Sequence, residues 1–167
     1  LPSALEQVVD LLGLPMNRYM QLVAANDEAY IPGMIALGAS QDEVDAIRLA
    51  DRKAQGVTEL EETLAEKSIK ENLEEMNGLK IVRAFCSRFS PICDRLYPYR
   101  NLLVYTDTEW MYYGENALSV RGMFEEAYQE GGLFYGGGSN GYVGIKQSFY
   151  TKDKVWKMVE RIITINL

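Results

Sequence analysis

The sequence predicts a mainly α-helical fold, a single helical-bundle-like core domain carrying a small C-terminal β-hairpin. Three observations predict it. Apolar residues recur at helical spacing through most of the chain. Capping residues stand ahead of these runs, with Ser40 before Asp42-Glu43 and Thr58 three residues before Glu61. Glycines alternating with aromatics are concentrated in 133–149, near the C terminus. At 167 residues and 47% hydrophobic, the chain can bury one sizeable core, so one domain over 1–167 is expected.

Leu5, Val8, Val9, Leu12, Tyr19, Leu22 and Val23 keep helical spacing but are interrupted at Gly13-Leu14-Pro15, which predicts two short helices between Ser3 and about Asn26. Ile31-Pro32-Gly33 and Leu37-Gly38-Ala39 punctuate the next stretch. Ser40 then caps a helix running to about Gln55, ended by Gly56. Thr58-Glu59-Leu60-Glu61 opens a strongly charged helix to about Met76, where Asn77-Gly78 interrupts the pattern. Most of its seven glutamates should face water.

A helix is predicted over 79–97. At about 100° per residue, Ile81, Val82, Phe85, Cys86, Phe89, Ile92, Cys93 and Leu96 fall on one side. Lys80, Arg83, Arg88 and Arg95 fall on the other. Phe85, Cys86 and Phe89 would anchor the helix in the core, and Pro91 would kink it on the polar side. Tyr97-Pro98 begins a loop, and Leu102 to Tyr105 and Trp110 to Tyr113 read as short extended pieces. Ala117 to Tyr128 reads as a helix stopped by Gly131-Gly132. The hairpin lies in 133–149 and turns at Ser139-Asn140-Gly141. A last helix spans Lys152 to Ile163, with Val155, Trp156, Val159, Ile162 and Ile163 as its apolar side.

The residue inventory argues against an enzyme. The chain has no histidine, which removes the main player of Ser-His-Asp and cysteine hydrolases and of most zinc sites. No catalytic residue, metal site or cofactor is expected. Cys86 and Cys93 would stand roughly 10 Å apart along one helix, too far for a disulfide, and read as small buried apolar groups. The run 136–141 lacks the Gly-Lys-Ser/Thr ending of a phosphate loop. Glu125 and Glu126 are adjacent on a helix and point apart, so they do not converge as paired acids, and Asp107 with Glu109 reads as solvated charge. An enzyme would need two converging carboxylates or a metal among Asp107, Glu109, Glu115 and Glu125. No apolar run approaches the ~20 residues needed to cross a bilayer, so no membrane partner is expected. The opening residue, Leu1, points to a longer gene product with a further N-terminal arm.

Charge is unevenly distributed. The net charge is −7, yet residues 1–76 carry 15 acidic and 6 basic side chains, whereas residues 77–167 carry 9 and 11. The first half reads as acidic and helical, the second as a basic helix followed by an aromatic and glycine-rich region. Between Gly78 and Tyr105 stand Lys80, Arg83, Arg88, Arg95 and Arg100 against one acid, Asp94. Guanidinium groups along such a face could pair with successive phosphates. The competing reading is a solvated face paired with the preceding acidic helix through Glu66, Glu71, Glu74 and Glu75.

The segment Leu79-Lys80-Ile81-Val82-Arg83-Ala84-Phe85-Cys86-Ser87-Arg88-Phe89-Ser90-Pro91 resembles the Arg-x-Phe-Cys-x-x-aromatic-small-Pro motif in coat proteins of flexible filamentous plant viruses, the potexvirus-like group. Ser119-Val120-Arg121-Gly122-Met123-Phe124-Glu125 resembles their later basic-x-x-Phe-Asp motif, with Glu125 in place of Asp. Leu12-Gly13-Leu14-Pro15 is similar to their early Leu-Gly-x-Pro turn. The resemblance implies a helical core that polymerises around single-stranded RNA in a helical filament. It further implies that Arg83 and Glu125 belong to the centre lining the RNA groove, with Glu125 orienting an arginine instead of touching phosphate. The expected function is therefore a self-assembling structural subunit, a viral coat protein, with Lys80, Arg83, Arg88, Arg95, Arg100 and Glu125 as the RNA-binding set. Its partners would be copies of itself and single-stranded RNA, and its place the virion and host cytoplasm. The alternative is a soluble intracellular scaffold subunit that uses the basic helix to meet an acidic partner.

Overall fold

A computed structural model describes residues 2–137, 141–146 and 149–165. The chain divides into two compact units, Leu1–Val57 and Thr58–Leu167. The boundary between the acidic and basic halves, at 76/77, falls inside the second unit.

The first unit is helical. Helix α1 (Ala4–Leu12) is closed at its N terminus by a reciprocal pair, in which the Glu6 backbone N–H donates to Ser3 Oγ and the Ser3 backbone N–H to the Glu6 carboxylate. It ends at Gly13, whose left-handed φ of 63° lets its N–H reach back to the last turn. Asn17 caps α2 (Arg18–Ala36), so the break at Gly13-Leu14-Pro15 separates two helices as the pattern predicts. α2 is itself kinked. Ala29 and Tyr30 leave helical geometry, Tyr30 taking φ 56° just ahead of Pro32, which has no N–H for the helical ladder. Ser40 and Glu43 form the capping box of α3 (Gln41–Ala54).

The second unit corrects the expected fold class. It is not a helical bundle with a small hairpin but an α/β structure around a six-stranded mixed sheet. Thr58 and Glu61 cap α4 (Glu59–Asn72) as predicted, and most of its exposed residues are glutamate and lysine. α4 stops four residues earlier than expected, because Leu73–Met76 forms strand β1. Asn77 and Gly78, at φ 49° and 80°, supply the two left-handed residues that a tight hairpin demands. β1 therefore turns directly into β2 (Leu79–Arg83), paired antiparallel with Met76 opposite Leu79.

The predicted helix 79–97 is thus a strand, a loop and a short helix, α5 (Ser90–Leu96). Pro91 sits in the first turn of α5, where its missing N–H costs nothing, and starts a helix instead of kinking one. Phe89 is buried in the core as expected. Phe85 is 44% exposed, and Cys86 lies half-buried in the loop away from Cys93, which is buried in α5.

The chain continues through β3 (Asn101–Tyr105), β4 (Trp110–Gly114), α6 (Ala117–Met123), α7 (Glu125–Gln129), β5 (Leu133–Gly136), β6 (Gly141–Ile145) and α8 (Lys152–Ile165). The predicted hairpin is present as the antiparallel pair β5–β6; of its expected turn at Ser139-Asn140-Gly141, Gly141 opens β6 and the other two residues lie outside the described residues. It is no appendage, since β6 pairs with β4 and carries the hairpin into the sheet order β1-β2-β3-β4-β6-β5. β2 and β3 are parallel, and the antiparallel steps from β3 to β4 to β6 make β6 run with them.

Side-chain alternation sorts the strands between two cores. Val82, Leu102 and Val104 meet Ala65 of α4 and Ile92, Cys93 and Leu96 of α5. Leu79, Ile81, Leu103, Trp110, Tyr112, Val143 and Ile145 meet Val120 of α6 and Val155, Met158, Val159 and Ile162 of α8. Each aliphatic side chain so buried is worth about 1.5–3 kcal/mol. A strand with both faces covered reads as a continuous apolar run, which is why Leu102-Leu103-Val104 carries no alternation.

Candidate functional site at the carboxyl end of the parallel strands

The strand geometry of β2 disperses the predicted basic face. Lys80 shares a face with Val82 and turns toward α5, where its ammonium donates to the carbonyls of Leu96 and Pro98, both at 3.2 Å. It works as a clasp on the end of that helix. Arg83 shares the opposite face with Ile81 and meets α8. Arg95 is engaged by Glu62 at 2.8 Å and Glu66 at 3.0 Å, and Arg88 stands 3.9 Å from Glu61. These two arginines pair with the preceding acidic helix, through Glu66, which the competing reading named, and through Glu61 and Glu62, which it did not. Arg100 stands just ahead of β3, at the opposite end of the parallel strands from Arg83, and pairs with Glu115 at 2.6 Å. Helical periodicity had placed four of these cations on one surface; a two-residue strand repeat cannot.

What the fold does assemble lies around Arg83, the last residue of β2. Its Nη2 donates to Asp107 Oδ1 at 3.0 Å, and its guanidinium carbon lies 5.4 Å from the Trp156 ring. Asp107, in the turn between β3 and β4, also accepts from Lys152 Nζ at 2.7 Å and from the Trp156 indole N–H at 3.3 Å. The hydrogen bond from Lys152 is the main cause that holds the Asp107 carboxyl below the ordinary aspartate range; burial opposes it, and the weaker hydrogen bond from Arg83 adds to the lowering. Tyr105, which ends β3, packs edge-on against Trp156 at 5.5 Å, and burial pushes its hydroxyl pKa up. The two cations are not consumed by this arrangement, because Arg83 is 50% exposed and Lys152 60% exposed. Lys152 also opens α8, so the partial positive charge of that helix end adds to theirs.

On the other flank of the same strand end stands exposed Phe85, with the Lys67 ammonium 5.1 Å from its ring. The Phe85 backbone is pinned by its N–H donating to the buried Ser68 hydroxyl at 2.9 Å. Two cation–aromatic pairs therefore flank the carboxyl end of β2. In open α/β sheets this end of the strands is where ligands settle.

Glu125, the remaining predicted site residue, opens α7. It accepts from Arg121 Nη2 at 3.0 Å and from Gln129 Nε2 at 2.6 Å, so it orients an arginine. Arg121 lies over the rings of Tyr128 and Tyr135, at 4.7 and 5.9 Å, and its Nε is buried without a hydrogen bond. No protein-family model matches the chain, and no curated protein is significantly similar to it.

Of the predicted RNA-binding set, the fold leaves Arg83 half-exposed beside an aromatic ring and sends Lys80, Arg88, Arg95 and Arg100 to other contacts. Lys152, Trp156 and Lys67 were missed. Trp156 reads in sequence as part of an apolar helix face, and Lys152 is one of several lysines ahead of it; nothing local links either to residue 83. Among the described residues no group of His, Cys, Asp or Glu is arranged to hold a metal, and no helix is long and apolar enough to cross a membrane.

Proposed function

We propose that the protein is a non-enzymatic structural subunit that binds single-stranded RNA along the carboxyl end of β2 and β3. The observation that carries this reading is the half-exposed pair Arg83 and Lys152, held apart by Asp107 against Trp156, with Lys67 and Phe85 on the other flank. Cations beside aromatic rings, the exposed Phe85 and the partly buried Trp156, suit a flexible phosphate backbone whose bases can stack. Such contacts set affinity without reading sequence. Glu125 enters only through Arg121. Packaging of that RNA in a filament of many copies, and hence a place in a virion, rests on the coat-protein resemblance of 79–91 and 119–125. The coat and scaffold readings were both framed on a continuous basic helix over 79–97, and an acidic protein partner at Arg83 and Lys152 remains the second reading.

Fluorescence anisotropy with a labelled single-stranded RNA tests the binding step. Arg83→Ala with Lys152→Ala should weaken binding at least about tenfold. It should also reduce the slope of log affinity against log salt by about 1.4, at roughly 0.7 per phosphate contact on a single strand. An unchanged slope would remove phosphate from this edge. Electron micrographs of the protein with RNA test the assembly step separately: filaments support it, and dispersed particles at saturating RNA rule it out.

A further inference from the structure

A cleft of about 410 Å³ opens between α7 and α8, with Met123, Phe124 and Met158 among its apolar walls. Its volume falls within the range of small-molecule sites. Lys154, Met158 and Arg161 stand at i, i+4 and i+7 on one face of α8, which puts the two cations about 10 Å apart along the helix with a methionine between them. Glu126 and Glu130 line the cleft from the α7 side. The third acid there, Glu125, is already engaged by Arg121 and Gln129.

The two cations lean on rings. The Arg161 guanidinium carbon lies 5.4 Å from the Phe124 ring and the Lys154 ammonium 4.5 Å from the Tyr150 ring. Among the described residues no ion pair joins Glu126 or Glu130 to Lys154 or Arg161. Two positive and two negative charges thus line one cleft with apolar surface between them and no direct closure. A ligand that suits this surface carries its own separated charges and an apolar body.

We propose that this cleft binds a zwitterionic, amino-acid-sized ligand with an apolar side chain. Arg161, held in place over Phe124, takes the carboxylate through its planar fork. Glu126 and Glu130 take the ammonium group, and Met123, Phe124 and Met158 receive the side chain. This proposal is independent of RNA binding at the opposite flank of α8.

Titration calorimetry with free L-leucine, L-methionine and L-phenylalanine tests it, together with the N-acetyl and carboxamide derivative of whichever amino acid binds most tightly. Saturable binding of a free amino acid is expected, weaker by at least about tenfold when either charge is masked. Arg161→Gln, on an exposed side chain that leaves the core untouched, should cost the free amino acid a similar factor while leaving the carboxamide unaffected. Equal affinity for charged and masked forms, or equal losses for both in Arg161→Gln, would overturn the proposal. So would the lack of saturable binding by all three amino acids.

Discussion

Residues 2–57 add caps and polar pins to a small apolar core of Leu22, Ile31, Met34, Val44 and Ile47, whereas residues 58–165 are held by larger apolar layers on both faces of a sheet. In the helical unit two arginines, Arg48 and Arg52, are as buried as many core residues, each 6% exposed. Arg48 donates to Asn26 Oδ1 at 3.0 Å and to Asp51 Oδ2 at 2.6 Å, and lies 4.5 Å from the ring of Tyr30, the residue at the kink of α2. Val8, Leu11, Leu12 and Leu14 of the same unit are exposed. In the α/β unit Trp110, Tyr112, Leu102, Leu103 and Ile162 are fully enclosed, whereas Met34 is the large side chain so enclosed in the helical unit. The difference teaches where each unit is vulnerable: the first through the charged groups that tie its helices, the second through the volume of its core.

The largest effect should come from that core. Trp110→Ala empties the space between β4 and the Phe124 ring, 5.8 Å away, and should cost about 3–5 kcal/mol in denaturant unfolding followed by the fluorescence of Trp156. Arg48→Ala should cost less, about 1.5–3 kcal/mol, because charge-assisted hydrogen bonds are lost and Asn26 and Asp51 are left to water. Far-UV circular dichroism reads it. A larger loss in Arg48→Ala than in Trp110→Ala would reverse the contrast between the two units.

The same contrast decides what was legible in the sequence. Caps and breaks act within four residues, so Gly13, Ser40 with Glu43, Thr58 with Glu61, and Gly56 mark the end of α1, both ends of α3 and the start of α4, whereas α2 runs past the expected Asn26 to Ala36 and takes in Ile31-Pro32-Gly33. Strand β2 depends on partners elsewhere: Leu79 pairs with Asn101 and Arg83 with Tyr105. Its apolar residues fit a helical repeat because Ile81, Val82, Phe85 and Phe89 are spaced alike in a strand that ends in a loop and a helix. Two local signals favoured the strand, the β-branched Ile81-Val82 and the hairpin pair Asn77-Gly78. The site divides the same way. Arg83 was visible as excess positive charge, but its neighbours Asp107, Lys152 and Trp156 are brought to it only by the β3–β4 turn and by α8 lying across the sheet.

The smallest expected effect concerns a pin on the surface of the helical unit. Glu43 accepts from Arg18 Nε at 3.0 Å and from the Ser40 backbone N–H at 2.9 Å, so one carboxylate closes the start of α3 and ties it to α2. The Arg18 hydrogen bond and then the Ser40 backbone bond hold its pKa at about 2, down from an ordinary 4.5. A carboxyl depressed in the folded state contributes stability that is fully present above its unfolded value and lost as protons bind. The contribution of Glu43 should therefore be complete above about pH 5 and decline as pH falls from 4.5 toward 2. Because both side chains are more than a third exposed, solvent and salt screen the pair and the decline should be shallow. Glu43→Gln removes this titration, so the variant and the parent should converge in stability at pH 2 and separate by pH 6. Helical signal against denaturant at the two pH values measures it. A gap that is as wide at pH 2 as at pH 6 would show that the Glu43 side chain acts through its shape and not its charge.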